Sequence, residues 1–386
     1  MSQVNWYSFP TKICFGAEAL SYLPAVVAKE SYGKCLIVTD AGFSKTPAYQ
    51  KVLKTLESAG IAFEAFTGVQ GNPTEQDVLA GRDAFKKTRC QWVLGLGGGS
   101  PLDVAKAIRL MATHSGSVFD YDDALGGCDK ITSNVAPFVA IPTTAGTGSE
   151  VGRSTVIVDT NTKTKKIIFS PYLLANYVFA DPLLTLDLPE KITAATGMDA
   201  FTHNIESYLA KGTHPIADSI ALGGIRLVSR SLKKACKQPH DVAARADMLM
   251  ASMMGAIAFQ KGLGVTHSLA HPLSTLAGVH HGLANGVMLV PAMRFNSDVS
   301  EGRLTDISRL VNAELGRDVR ASAENAIEYF SELRDAISIP RNLREVGVKE
   351  SLVPELTEQA FHDTCWHNNP KPVTKKDLEA LYRNAL

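Results

Sequence analysis

The apolar pattern of this chain changes near residue 186, and the change restricts the folds open to it. Before that point, short β-branched or aromatic runs such as Cys35–Thr39 and Trp92–Leu96 alternate with longer amphipathic stretches. Strands that alternate with helices predict a parallel sheet with helices on both faces. Beyond it, apolar residues recur about every 3.6 positions almost throughout, which predicts helices. We therefore expect an α/β domain at residues 1–186 and an all-helical domain at residues 187–386.

Several elements can be placed individually. The strands predicted in the first domain are Lys12–Phe15, Cys35–Thr39, Ala62–Phe66, Trp92–Leu96 and Phe138–Ile141. The helices predicted in the second domain include Ala217–Cys236, Val242–Phe259, Ala284–Phe295, Ala321–Ser338 and Lys375–Asn384. The second domain should open with a helix capped by the Asp187 carboxylate, with Pro189 at an early helical position and Glu190 three residues after the cap.

Composition excludes several classes of function. Lys plus Arg and Asp plus Glu both number 39, so no net charge attracts nucleic acid or an anionic membrane. The apolar runs are too short to span a bilayer, and the N-terminal segment lacks the basic start and apolar centre of a signal peptide. The six cysteines show no CxxC spacing, which favours free thiols in a reducing compartment. We expect a cytoplasmic protein.

Two histidine-rich stretches indicate a metal site. Asp199 and His203 are four residues apart, as are His267 and His271, so each pair lies on one face of a helix. His280 and His281 follow after a segment that reads as a loop. Pairs of histidines at this spacing also arise by chance, but two such pairs, one with a carboxylate, favour a site for Fe(II), Zn(II), Mn(II) or Co(II).

A glycine-rich segment follows the strand Trp92–Leu96. Gly97, Gly98 and Gly99 allow a ligand to approach the backbone, and Ser100 begins a helix whose free N–H groups favour an anion. This arrangement suits a pyrophosphate. It departs from the usual dinucleotide fingerprint because the third glycine is missing and the segment comes late in the domain. An ordinary turn between strand and helix is the alternative.

Two further segments support a nucleotide site. Asp40 ends a buried strand, where a carboxylate can accept hydrogen bonds from an adenosine ribose and repel a 2′-phosphate. A turn residue ahead of Ala41-Gly42 is an equally good interpretation of Asp40. The segment Pro142–Glu150 carries hydroxyls and glycines that can line a polar ligand, although such a segment can also cap a helix.

Four motifs in order resemble the iron-containing (group III) alcohol dehydrogenases along nearly the whole chain. They are GGGSPLDVAKA at Gly97, PTTAGTGSE at Pro142, AATGMDAFTHNIE at Ala194, and GLGVTHSLAHPL with HHGLAN within Gly262 to Asn285. The resemblance implies a Rossmann-like parallel sheet followed by an all-α domain, the architecture shared with dehydroquinate synthase. It implies an NAD-dependent enzyme that uses Fe2+, or Zn2+ or another divalent ion, to interconvert a small primary alcohol and its aldehyde.

The resemblance also implies roles for individual residues. The metal ligands would be Asp199, His203, His267 and His281, while His271 would be a proton-relay residue rather than a ligand. The residues at the NAD site would be Asp40, Asn72, Gly99, Ser100, Asp103, Thr143, Thr144 and Lys165. Two departures from the family pattern are His280 directly before His281 and a stretch Phe259–Gly262 that is one residue shorter.

Other functions remain open at this point. The resemblance places Arg153, Ser154, Phe259 and the stretch 365–367 at the substrate pocket. An inward-facing Arg153 would anchor a carboxylate and favour an ω-acid semialdehyde as the substrate. A lyase similar to dehydroquinate synthase would need more cationic residues than surround His267, and a non-catalytic scaffold would not need intact ligands. We expect a homodimer or a higher homo-oligomer.

Overall fold

The computed structural model describes Phe9 and residues 11–386; part of the N-terminal segment, on which the absence of a signal peptide was argued, lies outside these residues. The chain forms two compact units. A sheet unit comprises residues 11–144 and 148–188, and a helical unit comprises Ala145–Thr147 and Pro189–Leu386. The short segment Ala145–Thr147 therefore belongs to the helical unit although it follows a strand of the sheet.

The predicted parallel sheet is confirmed. Among the described residues it has six strands in the order β1-β8-β5-β4-β2-β3. Their bounds are β1 Lys12–Phe15, β2 Cys35–Asp40, β3 Phe63–Val69, β4 Trp92–Gly97, β5 Phe138–Pro142 and β8 Tyr177–Ala180. The sequence patterns did not predict β8, nor the antiparallel hairpin of β6 Ser154–Asp159 and β7 Thr164–Phe169. That hairpin is only partly buried, and its apolar runs, residues 156–158 and 167–169, are only three residues long.

The central strands bring two loops of the sheet unit together. The side chains of β4 and β5 are fully buried, as expected for parallel strands covered on both faces. Gly97 pairs with Pro142 at the carboxyl ends of these strands. The glycine loop and the segment after Pro142 therefore emerge side by side at one edge of the sheet. The helices of this unit are α1 Leu23–Lys29, α2 Pro47–Ser58, α3 Glu75–Lys87 and α4 Gly99–Met111.

The helical unit is built around its first helix. Its helices are α5 Glu190–Leu209, α6 Pro215–Lys237, α7 Val242–Ala258, α8 Val265–Ala277, α9 His281–Asn296, α10 Glu301–Leu315, α11 Ala323–Ala336, α12 Val353–His362 and α13 Lys375–Asn384. Helix α5 is buried from Thr193 to Leu209 and packs against α6, α7 and α9. By length and hydropathy alone the stretch Val242–Lys261 could cross a membrane, yet α7 within it contributes Ala244, Met248 and Ala251 to the core of this unit.

Two local predictions were wrong. Asp187 does not cap a helix, because α5 begins at Glu190 with Pro189 in extended conformation before it. A residue ahead of proline is disfavoured in the helical region, which delays the start of the helix. The segment before His280 is not a loop, since α8 continues to Ala277 and ends at Gly278, whose φ of 67° provides the left-handed C-cap.

Candidate active site

One face of α5 carries three polar side chains in the middle of the helical unit. Asp199, His203 and Glu206 are at positions i, i+4 and i+7, so they point in one direction along the buried helix. All three are at least 95% buried. Buried charged or polar groups need partners, and here the partners come from α8 and α9.

Helices α8 and α9 bring two further imidazoles to this face. His267 is in the first turn of α8, and His281 is the first residue of α9. The N-terminus of α9 lies directly against the α5 backbone, because a Cβ on Gly282 would come within 2.1 Å of the Ala195 carbonyl oxygen. Glycine at this position therefore allows the neighbouring His281 ring to reach Asp199.

The three predicted imidazole ligands converge on the fourth predicted ligand, Asp199. Its Oδ1 lies 4.0 Å from Nε2 of His203, 3.9 Å from Nε2 of His267 and 3.5 Å from Nε2 of His281. Ligands at about 2.1 Å from a tetrahedral ion lie about 3.4 Å from one another. The donor atoms of Asp199, His203 and His267 all lie within 4.8 Å of one another, and His281 adds a third imidazole next to Asp199, a set that suits a divalent ion such as Fe(II) or Zn(II).

The protonation of His203 suits ligation. Burial lowers the pKa of His203 to about 4, so the imidazole is neutral at pH 7 and can donate a lone pair.

Asn285 stands one helical turn after His281. Its Nδ2 donates to Asp199 Oδ1 at 2.7 Å and lies 3.3 Å from Nε2 of both His267 and His281. The amide thus holds the carboxylate within the ring of imidazoles.

Glu206 fixes the orientation of His267. Its carboxylate accepts hydrogen bonds from His267 Nδ1 at 2.7 Å, from the Thr266 N–H at 2.6 Å and from the Gly264 N–H at 3.0 Å. The same side chain therefore caps the N-terminus of α8 and holds the proton of His267 on Nδ1. This leaves Nε2 as the nitrogen that faces Asp199, the arrangement found behind many metal-ligating histidines.

His271 lies beside the ligand group but has a different partner. Its Nδ1 is 2.7 Å from Oδ2 of Asp363, and its ring stacks on His281 with centroids 5.2 Å apart. Asp363 also accepts hydrogen bonds from Ser268 Oγ at 2.6 Å and from the Cys365 N–H at 2.8 Å. The ring is thus fixed with Nδ1 toward a carboxylate.

The two departures from the family pattern can now be located. His280 is exposed and precedes α9, whereas His281 faces the other donors, so the geometry supports His281 as the ligand. The shortened stretch forms a 3₁₀ turn at Phe259–Lys261, and the Phe259 ring lies 5.3 Å from the His203 ring. The ring of Trp366, which was also expected at the pocket, stacks on the Phe361 ring, with 5.7 Å between the ring centroids.

The sheet unit contains a cradle at the predicted pyrophosphate loop. Helix α4 begins at Gly99, and Thr143 donates its N–H to the Gly97 carbonyl at 3.0 Å. A Cβ on Gly98 would come within 3.1 Å of Thr144 Oγ1, so a larger residue would require the Thr144 side chain to shift where the loops touch. The N-terminus of α4, flanked by a threonine hydroxyl, fits the chemistry of a pyrophosphate.

Three other predicted cofactor residues lie on neighbouring segments. Ser100 Oγ donates to the Gly71 carbonyl at 2.8 Å, next to the exposed Asn72. Lys165 stands opposite Val158 in the hairpin, and the Val158 N–H donates to the Pro73 carbonyl at 2.7 Å. The hairpin is therefore attached beside the loop that carries Asn72.

Asp40 and Asp103, the two acidic residues predicted at the NAD site, differ in the hydrogen bonds that their carboxylate oxygens accept. Asp40 Oδ1 accepts the N–H groups of Gly42 and Phe43, both at 2.8 Å, so this residue does form a turn, and Oδ2 is the oxygen that the turn does not use. Asp103 instead accepts from Ser149 Oγ at 2.5 Å and from the Val156 N–H at 3.0 Å. It ties α4 to β6, so both oxygens serve the protein itself.

Sequence reasoning missed Glu206, Asn285 and Asp363. Glu206 is seven residues after Asp199 and Asn285 is four after His281, so helical spacing could have identified both. Asp363 carries no such signal, because it is 92 residues from His271 in the chain.

Comparison with known proteins gives matches over nearly the whole chain. A family model described as iron-containing alcohol dehydrogenase matches residues 10–182, and one described as the C-terminal part of the Fe-containing alcohol dehydrogenase family matches residues 193–386. The 1,3-propanediol dehydrogenase of Klebsiella pneumoniae is 37% identical over 384 residues, which is 98% of either chain. The 4-hydroxybutyrate dehydrogenase of Cupriavidus necator is 35% identical and covers 95% of this chain and 96% of its own. A crystal structure of 1,3-propanediol oxidoreductase superposes with a TM-score of 0.93 at 36% identity over the full length of both chains.

Proposed function

Because this chain belongs to the iron-containing alcohol dehydrogenase family, we propose that it interconverts a small primary alcohol and its aldehyde by hydride transfer. Its cofactors are NAD and Fe2+. The observation that carries the proposal is the convergence of Asp199 with three imidazole Nε2 atoms at 3.5 to 4.0 Å inside the helical unit. When bound, a divalent ion supplies Lewis acidity toward the substrate oxygen, and NAD supplies the hydride acceptor.

The residues of the helical unit would have different roles in the reaction. Asp199, His203, His267 and His281 would hold the metal, and the catalytic residues would be His267, as one of these ligands, and His271. Since Asp363 holds a proton on Nδ1 of His271, the lone pair of this ring is on Nε2, which can accept or return the hydroxyl proton of the substrate. Phe259 lies against His203 and contributes an apolar wall that excludes water.

The sheet unit would bind NAD through its loops. The backbone of residues 97–99 and the N-terminus of α4 would hold the pyrophosphate, with the hydroxyls of Ser100, Thr143 and Thr144 beside it. The Oδ2 oxygen of Asp40 would accept the ribose hydroxyls and disfavour the 2′-phosphate of NADP. Asn72 and Lys165 would complete this site from the neighbouring loop and hairpin. Asp103 would support it indirectly, through its bonds to Ser149 and Val156.

Turnover of a substrate panel tests the proposal. The iron-loaded protein should oxidise NADH in the presence of C2–C4 aldehydes, and the rate should fall to background after removal of the metal and return when Fe2+ is added back. A variant with Asp199→Asn serves as the control for the metal centre. If the loaded protein turned over none of these aldehydes and none of the matching alcohols, the proposal would be wrong.

One observation favours a second candidate, an ω-acid semialdehyde. Arg153 is half-buried, and its guanidinium carbon lies 4.9 Å from the centroid of the Phe169 ring. Within the described part of the chain it makes no ion pair. A half-buried cation of this kind is suited to a carboxylate ligand, and one relative is a 4-hydroxybutyrate dehydrogenase. In Arg153→Ala, selective loss of succinate semialdehyde turnover with butanal turnover kept would favour this candidate. An equal effect on both substrates would count against it.

We also propose a cytoplasmic homo-oligomer. None of the six cysteines, all within the described residues, forms a disulfide, as in proteins of a reducing compartment. Strand β1 is at the edge of the sheet and exposes Ile13 and Phe15, which supports association through this edge. Light scattering on the purified protein gives the oligomeric state directly, and a monomer at micromolar concentration would contradict this part of the proposal.

A further inference from the structure

A second group of metal-binding atoms lies next to the metal centre. It consists of an imidazole nitrogen of His271, a carboxylate oxygen of Asp363 and the sulfur of Cys365, all within 4.8 Å of one another. None of the three belongs to the proposed ligand set of the centre. The ring of His271 stacks on that of His281, so the two groups of donors are adjacent.

The fold holds these donors in place from three directions. His271 comes from α8, Asp363 from the end of α12, and Cys365 from the 3₁₀ turn that follows it. Ser268 Oγ donates to Asp363 at 2.6 Å and accepts the Trp366 N–H at 2.9 Å, which fastens this turn to α8. The side chains of His271 and Asp363 keep 18% and 16% of their surface exposed, so a solvated cation can reach them.

The charge of the group also suits a cation. Burial alone would raise the pKa of Asp363. The interaction with His271, together with hydrogen bonds from Ser268 and the Cys365 N–H, instead holds this pKa well below its ordinary value. The carboxylate is therefore ionised at neutral pH and can bind a metal without releasing a proton.

We propose that His271, Asp363 and Cys365 form a second metal site, selective for zinc, whose occupation inhibits the enzyme. Imidazole, carboxylate and thiolate are all zinc ligands, and three of them leave a fourth tetrahedral position for water. At a site that includes sulfur, Zn(II) binds more tightly than Fe(II). The thiolate therefore gives this second site a stronger preference for Zn(II) over Fe(II) than the main centre has, since the ligand set of that centre contains only nitrogen and oxygen.

Zinc binding at this site has a defined proton balance. Bonds form from zinc to Nδ1 of His271, to Oδ2 of Asp363 and to the sulfur of Cys365, and the hydrogen bond between His271 and Asp363 is lost. The Nδ1 proton moves through water to Nε2, the thiol proton passes to solvent, and no group is oxidised or reduced. Inhibition follows because Nε2 then carries a proton and cannot accept one from the substrate, a step that rests on the proposed function.

Cobalt provides a probe that is independent of activity. Full-length protein equilibrated with excess Co(II) should bind two equivalents per chain. A sulfur-to-cobalt charge-transfer band should grow with the second equivalent, since the ligand set of the main centre contains no sulfur. Cys365→Ser should lose the band and the second equivalent, while Cys128→Ser, a control at another partly exposed cysteine, should keep both. A single equivalent without a band in the unmodified protein would overturn the proposal, whether or not any variant folds. A band that persisted in Cys365→Ser would do the same.

Inhibition by zinc tests whether occupation of the second site lowers the activity of the enzyme. Added Zn(II) should inhibit the iron-loaded enzyme, and Cys365→Ser should need at least about tenfold more zinc for the same inhibition. Equal inhibition of both proteins would refute the link between this site and activity. If no substrate is turned over, the proposed function fails, yet cobalt binding and the absorption band still decide whether the second site exists.

Discussion

Replacing Glu206 by glutamine should weaken both metal binding and folding, because this carboxylate serves two structures at once. It accepts from His267 Nδ1 and Gly264 N–H through one oxygen and from Thr266 N–H through the other. A glutamine amide cannot accept at both ends, so at least one buried donor loses its acceptor at a cost of about 1–3 kcal/mol. Loss of the group that orients a metal-ligating histidine typically costs about 10–100-fold in metal affinity.

The two effects can be measured separately. Urea unfolding of the metal-free protein gives the change in the free energy of unfolding, and competition with a chelator gives the change in metal affinity. Glu190→Gln, an exposed glutamate on the same helix that pairs with Lys237, is the matched control and should change stability by less than about 1 kcal/mol. If Glu206→Gln bound the metal as tightly as the parent, our account of how His267 is oriented would be refuted.

Four further predictions follow from the same geometry. His281→Ala should lose bound iron and His280→Ala should keep it, because the His281 ring lies among the other donors and His280 is exposed; the reverse metal contents would contradict the ligand assignment. His271→Ala should retain iron but turn over more slowly, and loss of the metal in this variant would make it a ligand instead. Asp40→Asn keeps the acceptor of the turn but removes a charge, so the ratio of kcat/KM for NADP to that for NAD should rise; an unchanged ratio would exclude a role in cofactor choice. Burial raises the pKa of Glu150 to about 7, so the folded chain holds a proton there that the unfolded chain has lost. The parent should therefore lose about 3 kcal/mol of stability as the pH rises from about 4.3 to 7, whereas Glu150→Gln should not show this loss in urea unfolding at a series of pH values.

Elements with a strong local pattern were predictable from the sequence. The strand at Trp92–Gly97 and the helix Lys375–Asn384 were found because each carries its apolar period within itself. The hairpin of β6 and β7 was not found, although its short apolar runs at residues 156–158 and 167–169 are visible in the sequence, because the pairing that joins them is between strands. Helix α10 does carry an apolar stripe at Leu304, Ile307 and Val311, so the sequence alone could have predicted it.

In the candidate site, too, the sequence predicted some residues and not others. Spacing within one helix pointed to Asp199 with His203 and to His267, because residues four apart share a face wherever the helix lies. The partner of His271 could not be predicted, since only the fold brings the turn after α12 to α8. Asp40 does form the predicted turn through one carboxylate oxygen, while its role at the ribose stays a prediction.

Metal binding and the folding of the helical unit are coupled through α5. Asp199 and Glu206 place two carboxylates on a helix that is buried on all sides, where an uncompensated charge is costly. The charge of Glu206 is balanced within the protein, by the N-terminal N–H groups of α8 and by His267. Asp199 has only the neutral amide of Asn285 as a hydrogen-bond donor among the described residues, with three imidazoles around it. A divalent cation at this position would supply the balancing charge that the chain does not, so its binding would stabilise the fold as well as complete the active site.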